Sequence, residues 1–401
     1  ALAAGTETLK LANGSNDLTV TAVETILGDS GADVVTLGGV VTAAAVNLGD
    51  GSDTLVLANG TNSVTATGVE TITGDSGADS VTLGAAVSGG SFDLGDGTDI
   101  LQLANGTNNI TLASSVETLV GSSGADTVTL SGVVSGRTFN LSDGTDNLVL
   151  ADGTNDLTAT NIETVTGGTG DDTVTLGSAA GGGSYVLGDG DDTLQLADTT
   201  NSLTLDASVE TLLGGTANDT VTLASGMTAG TIDLGAGVDT VNWAANTADT
   251  SLTLSNVETV TGGSGADNVT LGAGISGGVV DLKGGSDQLT LDDSGNDLTV
   301  KGTETITGGT GDDTVTLGEA ITGGSIDLGV GDDALQLHNL ANTLTVTGVE
   351  TVVGGTDNDT ITFTDALTAG SFNLGAGTDK MVLSNSANSI TLGASVETVV
   401  G

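Results

Sequence analysis

The chain has 401 residues, among them 66 Gly, 52 Asp or Glu and only 5 Lys or Arg, with no Pro or Cys, 1% aromatics and a formal charge of −47. The lack of Cys excludes disulfides, thiolate catalysis and Cys-based zinc or iron–sulfur centres, and the negative charge sets the chain against direct contact with nucleic acid or an anionic bilayer. A 37% apolar content is high for a disordered acidic chain, so it points to a narrow ordered core, and the self-repulsion calls for bound cations.

No apolar run approaches the roughly 20 residues of a membrane span. The N-terminus lacks the basic region and apolar stretch of a signal peptide. The chain opens at Ala1 inside one repeat and stops at Gly401 inside another, which reads as a section of something longer.

Taken in chain order, a Val-Glu-Thr signature with small variations places Glu24, Glu70, Glu117, Glu163, Glu210, Glu258, Glu304, Glu350 and Glu397 at intervals of 46 to 48 residues. This period predicts one continuous solenoid of eight to nine repeats over residues 1–401. A finer step of nine residues runs inside the unit, from Asp99 to Asn108 to Glu117 to Asp126. A step of 20 residues then joins Asp33 to Asp53, Asp79 to Asp99, Asp126 to Asp146, Asp172 to Asp192, Asp219 to Asp239, Asp267 to Asp287, Asp313 to Asp333, and Asp359 to Asp379. Two half-turns of nine residues plus a two-residue insertion account for it, the insertion falling in the Gly-rich segment such as Ser88-Gly89-Gly90. Each unit of about 46 residues is thus expected to hold five short strands.

Val81 and Leu83 flank Thr82, Leu101 and Leu103 flank Gln102, and Ile110 and Leu112 flank Thr111. Such alternation marks half-buried strands. Between them Gly, Asn, Asp and Ser supply turns. Strands this short bury a face only by stacking coil on coil, so the predicted fold is all-β, a parallel β-solenoid of the β-roll or β-helix kind. An odd number of strands per unit would put successive copies on alternate sides of a two-faced coil and distribute them otherwise around a three-faced one.

Gly167-Gly168-Thr169-Gly170-Asp171-Asp172-Thr173-Val174-Thr175 follows the pattern Gly-Gly-x-Gly-x-Asp-x-apolar-x, and Gly74 to Thr82 follows it apart from Asp75. Near-full copies begin at Gly262 and Gly308. These motifs resemble the RTX family, the hemolysin-type calcium-binding repeats of secreted bacterial proteins. The resemblance implies that loops of neighbouring coils share multiple Ca²⁺ ions, with the sixteen aspartates of the 20-residue pairs as metal ligands. Calcium takes six to eight oxygens, which glycine-turn carbonyls and carboxylates supply together.

The chain departs from that pattern in its 20-residue step and in turns such as Leu103-Ala104-Asn105-Gly106-Thr107-Asn108, where neutral Asn stands at the carboxylate position. Asp in a Gly-rich turn also serves simply to cap the backbone, and Glu70 and its equivalents read as caps rather than ligands. Pairs such as Thr173/Thr175 and Thr220/Thr222 raise a flat hydroxyl array of the ice-binding kind. The 46-residue period argues against that, because matching pairs would not recur in every coil. The single His338 supports no triad, and Tyr185 and Trp243 align with Phe92 and Leu103 as core variants.

The expected function is an extracellular, calcium-dependent, non-enzymatic scaffold: a surface-layer subunit, biofilm-matrix filament or adhesin shaft that self-associates at the cell surface. The alternatives are a module binding cell-surface polysaccharide or lipopolysaccharide through calcium, and the carrier segment of an RTX enzyme or toxin.

Overall fold

The computed structural model describes residues 7–392 and 395–401, which contain β-strands and no helix. The chain forms two compact units, Ala1–Ala197 and Asp198–Gly401.

The strands form where β-branched and apolar residues alternate, as in Thr127–Leu130, with Val128 and Leu130 buried and Thr127 and Thr129 turned outward. Each is too short to persist alone, and its partner is the strand two further along the chain. Asp17–Val20 pairs in parallel with Val34–Leu37, while Thr25–Ser30 pairs with Ala44–Asp50. Each unit is therefore a two-faced β-solenoid with parallel sheets on opposite faces.

The structural step is the coil, whose paired residues stand 17 to 22 positions apart, as between Thr8 and Thr25, Val34 and Thr54, and Ala229 and Ser251. A 46-residue coil is not what repeats. The sequence period instead covers five strands, so Glu24 precedes a strand of one sheet, Thr25–Ser30, and Glu70 a strand of the other, Thr71–Ser76. The two-residue insertion is absorbed where it was expected, as register shifts at Ser88/Gly90, Ser135/Arg137, Ser276/Gly278 and Thr322/Gly324.

Between the sheets runs a file of Val, Leu and Ile side chains, with Phe92, Phe139, Tyr185 and Trp243 buried among them. Each fully buried aliphatic contributes about 1.5–3 kcal/mol, which makes many narrow layers sufficient without large side chains. Close stacking also explains the first glycine of each motif. A Cβ on Gly167 would lie 1.8 Å from the carbonyl oxygen of Leu187 in the next coil, and one on Gly74 would lie 2.0 Å from that of Leu94. On the outer surface Thr173/Thr175 lies in register with Thr193/Gln195, so the paired threonines are interrupted from coil to coil.

Candidate functional site

All sixteen aspartates singled out by spacing lie at the coil turns, each no more than 1% exposed. Their position answers a backbone need. Where a strand begins after a turn, its leading N–H has left the sheet ladder, and a buried amide without an acceptor costs about 1–3 kcal/mol. The carboxylate one coil further on accepts it.

One ladder shows the arrangement. The Val87 amide donates to Asn108 Oδ1 at 3.1 Å, the Asn108 amide to Asp126 Oδ1 at 2.8 Å, the Asp126 amide to Asp146 Oδ1 at 2.7 Å, and the Asp146 amide to Glu163 Oε2 at 2.8 Å. Asn, Asp, Asp and Glu thus cap four successive coils, and the bulged Gly-rich strand follows. The same order runs through Asn62, Asp79, Asp99 and Glu117, and through Asn342, Asp359, Asp379 and Glu397. The glutamates act as caps, as their turn positions suggested.

Asn and Asp differ in what remains. In the Asn62 turn, Nδ2 donates to the Ala58 and Gly60 carbonyls at 2.7 and 2.6 Å and to Asp79 Oδ1 at 2.9 Å. Three oxygens therefore converge on one buried point, and the two hydrogens of the amide are shared among them. In an Asp turn the atom corresponding to Nδ2 is Oδ2, an acceptor. Fourteen of the aspartates, from Asp33 to Asp379, keep Oδ2 buried without a hydrogen-bond partner. Such an atom calls for a proton or a cation.

The electrostatics agree with that need. Burial pushes the carboxyls of Asp99, Asp146, Asp287 and Asp333 up to about 6, the amide bond from the preceding coil opposing the rise and the stacked Asp and Glu charges adding to it. Asp53, Asp239 and Asp379 are raised for the same reasons. A spare carboxylate oxygen is a donor that suits a hard cation. Among the described residues, however, no three His, Asp or Glu side chains gather about one point, so an ion at a spare Oδ2 would rest on few carboxylates.

Asp267 is satisfied differently, by a residue that spacing alone did not reveal. Its Oδ2 accepts from Trp243 Nε1 at 2.9 Å and from the Gly263 amide at 3.1 Å. In this copy Thr250 stands where other ladders begin with Asn, and its amide reaches Asp267 Oδ1 at 3.2 Å. A signal was present: the widest glutamate spacing, 48 residues from Glu210 to Glu258, encloses both departures.

No protein-family model matches the chain, and no curated protein matches it either.

Proposed function

We propose that the chain is a non-catalytic structural scaffold of the cell exterior, a β-solenoid of the hemolysin-type calcium-binding kind that calcium completes. The observation that carries this reading is the even spread of the buried carboxylates. They recur turn after turn in Asn-Asp-Asp-Glu ladders, and among the described residues no unrepeated constellation of nucleophile, acid and base stands apart from them. The sequence unit of about 46 residues is the unit by which these ladders are copied, one per copy.

The spare Oδ2 atoms, such as those of Asp79 and Asp99, are the oxygens that would hold the ion, with turn carbonyls completing its shell. Bound calcium would supply positive charge where the coils otherwise stack like charges. The chain's own residues do the rest: the carboxylate Oδ1 atoms hold the coil amides, and the aliphatic file closes the core. Binding of an ion to the folded form alone stabilises that form, which suits a scaffold that folds outside the cell, where calcium is plentiful.

Thermal unfolding followed by circular dichroism, in chelator and in millimolar calcium, tests the reading. Calcium is expected to raise the melting temperature well beyond an equal ionic strength of sodium. Equal melting temperatures in chelator and calcium would refute the calcium requirement. Sedimentation in calcium tests the scaffold itself, which predicts species larger than the monomer.

A further inference from the structure

The glutamate that ends the ladder through Asp146 has an unused side. Glu163 gives Oε2 to the Asp146 amide at 2.8 Å, while its Oε1 accepts no hydrogen bond among the described residues. Beside it lies a cavity of about 320 Å³, bounded by Ile162, Glu163, Tyr185 and the segment containing Gly181 and Gly183. Glu24, whose Oε2 accepts from the Glu7 amide at 2.8 Å, borders a cavity of about 150 Å³ that also touches Val23, Ala43 and Ala44.

One copy of this corner already contains a cation. Arg137 occupies the position held by Gly183 in the Glu163 copy and by Ala44 in the Glu24 copy. Its Nη1 lies 2.9 Å from Glu117 Oε1, and its Nη2 donates to the Ser114 carbonyl at 3.1 Å. Glu117 Oε2 meanwhile keeps the Asp99 amide at 2.7 Å, so the corner takes a guanidinium without surrendering its ladder bond. A planar guanidinium can donate at once to a carboxylate oxygen and a carbonyl set side by side. In the Glu163 copy, Gly181-Gly182-Gly183 sends no side chain into the corner, and Tyr185, whose hydroxyl lies 2.6 Å from where a Cβ on Gly183 would stand and donates to the Ile162 carbonyl at 3.4 Å, forms one wall of the cavity that remains.

We propose that the Glu163 corner, and the smaller one at Glu24, are receptor pockets for an arginine side chain of a partner polypeptide. Glu163 Oε1 accepts from one guanidinium nitrogen, in the role that Glu117 Oε1 plays for Arg137. The charge of −47 draws basic partners to the surface, and the pocket selects the guanidinium. This inference is independent of calcium and is tested in chelator.

The test is an NMR titration of the isotopically labelled chain with N-acetyl-arginine amide, using N-acetyl-norleucine amide and tetramethylammonium chloride as controls. Saturable shifts are expected at Gly181, Gly182 and Gly183 and at Ala43 and Ala44, with none at Gly136, where Arg137 fills the corner. Glu163→Gln should weaken the Gly181–Gly183 response roughly tenfold or more, because the charge-assisted bond is lost. The Asp146 amide should keep its acceptor and its shift in that variant, which shows that the coil is intact. Arg137→Gly should open a new response at Gly136. An absent or non-saturable response at Gly181–Gly183, an undiminished one in Glu163→Gln, or the same shifts produced by calcium chloride would each overturn the proposal.

Discussion

Replacing Asp99 by Asn and, separately, by Ala distinguishes an amide acceptor from a charge kept for its own sake. Asp99 Oδ1 accepts the Asp79 amide at 2.7 Å, and both residues are buried. Ala strands that amide away from water and removes a charge-assisted bond, a loss of about 1.5–3 kcal/mol. Asn keeps the acceptor. With its carboxyl pushed up to about 6 by burial, the ionised Asp99 weighs on the folded state at pH 7 by about 3 kcal/mol, since each pH unit of displacement corresponds to about 1.4 kcal/mol. Asn removes that weight and gives up about 1 kcal/mol of charge assistance. In chelator at pH 7, Asp99→Asn is therefore expected to be more stable than the parent by about 1–2 kcal/mol, and Asp99→Ala, relieved of the same charge but leaving the Asp79 amide without an acceptor, to be less stable than Asp99→Asn by about 0.5–2 kcal/mol. The sign follows from linkage: a raised carboxyl stabilises the fold below its unfolded value and loses that contribution as pH climbs through about 6. Near pH 5 the advantage of Asn should shrink away. Native-state exchange of the Asp79 amide with solvent, alongside urea unfolding, reads both variants. If Asn proves no more stable than Ala in chelator at pH 7, the acceptor argument fails.

The same linkage predicts that, in chelator, the melting temperature rises as pH falls from about 7.5 to about 5, because Asp99, Asp146, Asp287 and Asp333 take up protons more readily when folded. A monotonic fall over that window would contradict it; with calcium present a fall is expected, since the ion needs the carboxylates ionised. Trp243→Phe should cost about 1.5–3 kcal/mol by removing the indole donor from Asp267 Oδ2, measured by urea unfolding, and a change under a few tenths would assign the indole nitrogen no role. Gly167→Ala should destabilise by about 1–3 kcal/mol or more, because the new methyl meets the Leu187 carbonyl. Gly39→Ala, with open space around the added Cβ, serves as its near-neutral control in the same melts.

Much of the fold could be read from residues that alternate or recur. Val81/Leu83 and Ile110/Leu112 announced half-buried strands, and the extra two residues at Ser88-Gly89-Gly90 were legible as an insertion that the structure absorbs as a bulge. The coil itself was less legible. Periodicity along one strand says which side chains face inward but not which later strand lies beneath, so the spacing of nine fitted two-faced and three-faced columns alike. The aspartates were visible as a set. Their Oδ1 partners were not, because the amide each one accepts belongs to a residue 17 to 20 positions earlier, as Asn62 does for Asp79 and Asp79 for Asp99. The first glycine of each motif was expected to shape a metal loop, and Gly167 shows a second demand, room for the neighbouring coil's carbonyl.

The odd strand number between successive glutamates has a consequence for how such a chain can change length. Glu24 and Glu70 lead strands on opposite faces, while Glu24 and Glu117 lead strands of the same one. Duplicating or deleting a single copy within a unit therefore transfers all that follows it to the reverse side, exchanging left-hand and right-hand decoration. Gains or losses in pairs leave every downstream residue facing as before, so any partner that reads one side of the column constrains its growth to even numbers.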